Sequence, residues 1–160
     1  MTVDNRKQRL LRLDRVFERN PIYFVTACSA ERRPILADQM VHSAFVAFAE
    51  RSESAWLGAY VFMPDHLHLF VAIDDQQTTL SRWMKSLKNS ISKVLRARGV
   101  ASPHWQKGFF DHASRSEESY EEKWCYVREN PVRAGLVSEW ERWPFAGEIY
   151  DLRFEGDRRS

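Results

Sequence analysis

Two histidines one residue apart and a tyrosine four residues before an asparagine are where this sequence can carry chemistry. His66-Leu67-His68 falls in an apolar, strand-like run. Side chains two apart on a strand share a face, about 7 Å apart at the backbone, so two imidazoles can converge on one metal ion. A pair that merely satisfies its own hydrogen bonds is the competing reading. Tyr126 stands in Trp124-Cys-Tyr-Val-Arg-Glu-Asn-Pro. On a helix running from Glu117, Tyr120, Trp124 and Val127 cluster within an arc of about 60° and form a buried stripe. Tyr126 lies roughly 100° away from the middle of that stripe, with Asn130 beside it at i+4. It is therefore either an ordinary half-buried surface tyrosine or one presented for reaction.

Joined, these residues describe a phosphoryl-transfer site. A phenol with a pKa near 10 is a weak nucleophile at neutral pH. A divalent ion on a scissile phosphate would supply Lewis-acid polarisation and orient the phosphate for in-line attack. His66 and His68 would fix the ion, and Asn130 would add a third, oxygen ligand. Attack by Tyr126 would give a phosphotyrosine link. One ester replaces another, so the strand could be resealed without ATP.

The elements that must position these residues are legible as alternating strands and helices. Ile22 to Ser29 reads as a strand, rich in β-branched and aromatic residues. Asp38 to Arg51 is predicted helical, with Met40, Val41, Ala44, Phe45 and Phe48 at helical spacing and Asp38 as N-cap. Trp56 to Met63 and His66 to Ile73 are predicted strands joined at Met63-Pro64-Asp65. A basic helix is expected from Thr79 to Arg98, stopped by Gly99. Trp105 to Phe110 is expected as a fourth strand. Ser114-x-x-Glu117 reads as a capping box opening a helix that ends near Asn130, before Pro131. The order β-α-β-β-α-β plus one helix predicts an α+β, ferredoxin-like (RRM-like) antiparallel sheet with helices on one face. The extra C-terminal helix carries the tyrosine, and the first and third strands are central.

The chain has 160 residues with no repeat or low-complexity linker, so a single domain over 1–160 is expected, its core at about 20–150. No apolar run approaches the roughly 20 residues that span a bilayer, and the first residues hold no secretory h-region. Cys28 and Cys125 are too few for a disulfide framework. A cytoplasmic protein is expected. Net charge is only +2, but Leu80 to Gly108 contains seven basic residues and no acidic one. Lys85, Lys88, Lys93 and Arg96 recur at three- to four-residue steps, so one helix face could follow a phosphate backbone or simply be solvated. Arg6 to Arg19 forms a second basic cluster. Trp83 and Trp105 could stack on bases, with core packing the competing reading. His42 and His104 carry no chemical signal.

Four blocks carry a resemblance to a known family: Tyr23-Phe-Val-Thr-Ala-Cys; Ala59-Tyr-Val-Phe-Met-Pro-Asp-His-Leu-His-Leu-Phe-Val; Trp105-Gln-Lys-Gly-Phe-Phe-Asp-His; and Tyr126-Val-Arg-Glu-Asn-Pro-Val-Arg-Ala-Gly-Leu-Val. Followed by Trp140-Glu-Arg-Trp-Pro-Phe, they cover most of residues 20–150. The sequence resembles the REP-associated tyrosine transposases, single-tyrosine members of the HUH superfamily and relatives of insertion-sequence transposases. The resemblance implies His66 and His68 as HUH metal ligands, Asn130 as third ligand, Mg²⁺ or Mn²⁺ as the ion and Tyr126 as nucleophile. It implies single-stranded DNA beside hairpins of repetitive extragenic palindromes as substrate, cleaved to a 5′-phosphotyrosine and a free 3′-hydroxyl, with a short guide tetranucleotide at the hairpin foot. Asp65 stands where many relatives carry Asn, with little consequence expected. Arg115 and Arg133 flank the tyrosine helix and could meet the substrate, and His112 is expected to be structural or to face the DNA backbone. A monomer is expected, with a dimer possible. The alternative is a domesticated relative that holds hairpins without cutting them.

Overall fold

The computed structural model describes residues 21–114 and 116–152. Arg115 and the cluster Arg6 to Arg19 lie outside the described residues. Strand β1 (Ile22–Cys28) leads through a 3₁₀ turn at Ala30–Arg32 to helix α1 (Gln39–Arg51), strands β2 (Ala55–Phe62) and β3 (His66–Ile73), and helix α2 (Leu80–Ala97). Strand β4 (Phe110–Ser114), helices α3 (Glu117–Val127) and α4 (Asn130–Arg133), a 3₁₀ turn at Trp140–Arg142 and strand β5 (Ala146–Glu148) follow.

The sheet is antiparallel with strand order β4-β1-β3-β2-β5, so β1 and β3 are central, as the topology predicts. Its two faces divide the core by strand parity. Leu67, Leu69, Val71 and Ile73 of β3 pack with Val41 and Phe45 of α1 and Leu87 and Ile91 of α2. Phe70 and Ala72 face the other way, against Tyr120, Trp124 and Val127 of α3. The helices therefore do not all share one face. Two cover one side, and the extra helix covers part of the other.

Local chemistry sets the helix starts. Asp38 caps α1, accepting from the backbone amides of Met40 and Val41, and Thr79 caps α2 through the amide of Arg82. Met40, expected on the buried stripe of α1, is exposed, while Val41, Phe45 and Ala49 are buried.

Three boundaries differ from expectation. The fourth strand lies at Phe110–Ser114, after Gly108, which adopts a positive φ of 72° and turns the chain; Trp105 makes only an isolated bridge to Ser29. The cap of α3 is Ser116, whose hydroxyl accepts from Ser119 N, and Ser114 closes β4 instead. Helix α3 ends at Val127, and Asn130 opens a separate turn with Pro131 in its first positions, where a missing N–H costs nothing. The short strand β5 has too little apolar alternation to be read from sequence. It pairs with β2 beyond a bulge between Leu57 and Tyr60. At that bulge Gly58 lies so close to α3 that a Cβ there would meet the Tyr120 hydroxyl and Leu152 Cδ1 at 2.7 Å.

Candidate active site

His66 and His68 project from β3 on the face that α3 covers only in part. Their rings stand 4.8 Å apart between centroids and nearly perpendicular, at 81°. Leu67 between them is buried on the opposite face, as alternation requires. Each imidazole is held by its Nδ1. Asp65 Oδ1 lies 2.7 Å from His66 Nδ1, and Thr26 Oγ1 lies 2.8 Å from His68 Nδ1. An ionised carboxylate only accepts, so the proton of this contact sits on His66 Nδ1, and Nε2 is the nitrogen turned away from Asp65. The Thr26 hydroxyl can accept from His68 in the same way. This is how imidazoles are arranged when the other nitrogen is a metal ligand.

Electrostatics agree. Burial, helped by the neighbouring charges of His66, Lys123 and Arg32, pushes the His68 pKa down to about 3, so the ring is neutral and able to ligate at ordinary pH. The Asp65 carboxyl would be raised by burial, but the hydrogen bond and charge of His66, together with Arg32, hold it below its usual value. Arg32 Nε donates to Asp65 Oδ2 at 2.9 Å. Asp65 thus bridges Arg32 and His66 at the edge of the cleft. Phe24 stacks on His68, with centroids 5.3 Å apart and planes at 17°.

Tyr126 lies on the last turn of α3 and is 65% exposed, whereas Tyr120, Trp124 and Val127 are buried. The off-stripe position inferred from helical geometry is the one observed. The two histidines, Tyr126 and Asn130 line one open cleft of about 510 Å³, together with Lys123 and Arg133. Arg133 ties the helix junction: its Nη2 donates to Tyr126 O at 2.7 Å and to Asn130 Oδ1, and its guanidinium sits over the Tyr126 ring, 4.2 Å from the centroid.

Among the described residues, no three His, Cys, Asp or Glu side chains form a metal cluster. The protein donors that fit an ion here are the imidazoles of His66 and His68. Asn130 lines the same cleft, and its amide oxygen, which has two lone pairs, accepts from Arg133.

The basic stripe of α2 is not brought to this cleft. Helix α2 packs on the opposite side of the sheet, where Lys85, Lys93 and Arg96 are exposed. Lys88 is turned inward: its ammonium donates to the carbonyls of Gln106 and Gly108 and lies over the Trp105 ring. Trp83 is buried in the core. His42 bonds the Tyr60 hydroxyl at 2.7 Å, and His104 bonds Ser92 and the carbonyl of Val100. His112 is exposed on β4.

Lys123, Thr26 and Arg32 are the site residues that sequence reasoning missed. Lys123 was within reach of it, since a residue three before Tyr126 shares its helix face. Thr26 and Arg32 depend on strand register and on a left-handed turn, where Glu31 and Arg32 both take φ 54°, and neither shows in local pattern.

Comparison with known proteins gives a consistent set. The family model described as "Transposase IS200 like" matches residues 19–130. A REP-associated tyrosine transposase of Escherichia coli K12 is 24% identical over 153 residues, spanning 89% of this chain and 90% of that protein. A candidate REP-associated tyrosine transposase of Haemophilus influenzae is 22% identical, spanning 88% and 87%. Among solved structures, a REP-associated tyrosine transposase bound to a REP hairpin superposes with a TM-score of 0.67 at 24% identity, over 86% of this chain and 82% of that one.

Proposed function

We propose, from the premise that the chain belongs to the IS200-like transposase family, that it cleaves and rejoins single-stranded DNA beside hairpins through Tyr126. The observation that carries this is the shared cleft of His66, His68, Tyr126 and Asn130, assembled from a sheet strand and two helices. The REP hairpin bound to the structural relative supports a hairpin substrate.

In this reading the Tyr126 Oη attacks the scissile phosphorus. A P–Oη bond forms, the P–O3′ bond breaks, the phenolic proton passes to water at this exposed position, and the departing O3′ takes up a proton. The DNA keeps its 5′-phosphate on the tyrosine. Rejoining is the reverse exchange, in which a 3′-hydroxyl displaces Tyr126. His66 and His68, joined by Asn130, would hold Mg²⁺ or Mn²⁺, which would polarise the phosphate and stabilise developing charge. Lys123 and Arg133 supply fixed positive charge along the cleft, and Arg133 braces the tyrosine ring. Thr26 and Asp65 keep the imidazoles oriented before substrate arrives.

The test is adduct trapping. With Mn²⁺ and a labelled hairpin bearing an unpaired flank, the wild-type protein should form a covalent complex, and mass spectrometry should place the nucleotide on Tyr126. Tyr126→Phe should bind and form none. Tyr120→Phe should still form it, although loss of the hydroxyl that accepts from Ala59 N costs stability. Hairpin binding by wild type without any adduct would support the domesticated binding protein instead.

A further inference from the structure

Adjacent phenylalanines in Gly108-Phe-Phe-Asp separate at the start of β4. Phe109 is half-buried against the α1–α2 side of the core. Phe110 is 73% exposed, higher than any other large apolar side chain among the described residues. Its direction follows from register. Phe110 is paired with Thr26, which is paired in turn with His68. Paired residues in an antiparallel ladder point to the same face, and Thr26 is fixed to that face by its contact with His68. Phe110 therefore lies on the histidine side of the sheet, two strand spacings from His68, or about 10 Å. Helix α3 does not reach it. Its neighbour on the same face, His112, is paired with Phe24 and is also exposed. The acidic Asp111 belongs to the other face by alternation.

An uncovered aromatic ring on a sheet edge costs solvation and contributes nothing to this core. It adjoins a cleft whose cations, Lys123 and Arg133, suit a phosphate backbone. We propose that Phe110 is a stacking platform for an unpaired base of the substrate strand, next to the nucleotide whose phosphate occupies the histidine cleft. The occupant is a base rather than a peptide: the ring is continuous with the cationic cleft through Thr26 and Phe24. Stacking is tolerant of base identity, so Phe110 fixes the path and spacing of the strand and leaves sequence choice to other contacts. The inference rests on the single-stranded-DNA reading above.

The experiment measures binding without cleavage, using full-length protein with chelator and fluorescence anisotropy of labelled hairpins carrying an unpaired flank. One abasic site is moved through the flank. Phe110→Ala should weaken binding of the flanked hairpin by about 5- to 150-fold, the span of one base–aromatic stack, and Phe110→Trp should restore it. At one flank position an abasic site should cost the wild type a similar factor and cost Phe110→Ala almost nothing further, the non-additivity of a direct contact. Additive effects at every position, or unchanged binding by Phe110→Ala, overturn the proposal. So does a Phe110→Ala effect confined to self-association in sedimentation, which would make β4 an edge that pairs with a second copy. If wild type binds no hairpin, flanked or blunt, the DNA reading itself fails; if it binds but no position couples to Phe110, only the platform fails.

Discussion

His66 and His68 differ in what orients them, and the difference can be measured. His66 depends on a carboxylate that is in turn held by Arg32, while His68 depends on a hydroxyl that can donate as well as accept. Asp65→Ala should lower Mn²⁺ affinity by roughly 10- to 100-fold, read by titration with electron paramagnetic resonance, with the circular dichroism spectrum unchanged. Thr26→Val should cost less. Equal affinity in Asp65→Ala would mean that the carboxylate does not position the ligand. His66→Ala or His68→Ala should abolish adduct formation while hairpin binding falls much less, because phosphate contacts dominate affinity. What the sequence reveals here is what periodicity controls: the shared face of His66 and His68, and Tyr126 lying off the stripe of Tyr120, Trp124 and Val127. Asp65, Thr26 and Arg32 act through tertiary neighbours 33 and 42 residues away in sequence, which no local pattern encodes.

Helix α2 was readable as a basic amphipathic helix, but its place in the layers decides what its charges can do. Because it packs on the side of the sheet away from the cleft, Lys85, Lys93 and Arg96 can meet only DNA that extends around the molecule. Replacing these three together should leave adduct formation on a short unpaired oligonucleotide unchanged. Lys123→Ala and Arg133→Ala should reduce it, and a short-strand yield that tracks the α2 charges would contradict the layer assignment. Lys88 should behave as a structural residue. Burial lowers its pKa, and its ammonium holds the 106–108 carbonyls, so Lys88→Met should lower the melting temperature by a few degrees, with Lys85→Met near wild type. The misplacement of the fourth strand has a related origin. Trp105 and Phe109, the apolar residues of that segment, pack against the core, and the Trp105 indole donates to the Lys88 carbonyl of α2, so their apolar character does not mark a ladder. The true β4 is a nearly fully exposed edge with no buried alternation to betray it.

At the scale of the whole molecule, two histidines are kept neutral by burial. His42, against Tyr60, and His68 both have pKa values pushed below 6.5 in the fold. The unfolded chain takes up protons at these positions near pH 6.5 and the folded chain resists, so their share of stability is intact above that pH and is lost as pH falls below it. The melting temperature of metal-free protein should therefore decline on acidification from about pH 6.5. His42→Gln should flatten that decline, and an identical profile would remove burial of His42 as a cause.

Gly58 gives the cleft a dimension that no catalytic residue controls. The imidazoles belong to the sheet and the tyrosine to a helix, and the two layers touch where Gly58 has no side chain. It works as a spacer of zero thickness: a side chain added there presses on Tyr120 and Leu152 and, through Tyr120, on the helix that carries Tyr126. Gly58→Ala should thus detune the enzyme from behind, slowing adduct formation while Mn²⁺ affinity stays at the wild-type value. A loss of both together would show that the methyl disturbs the sheet rather than the standoff between nucleophile and imidazoles.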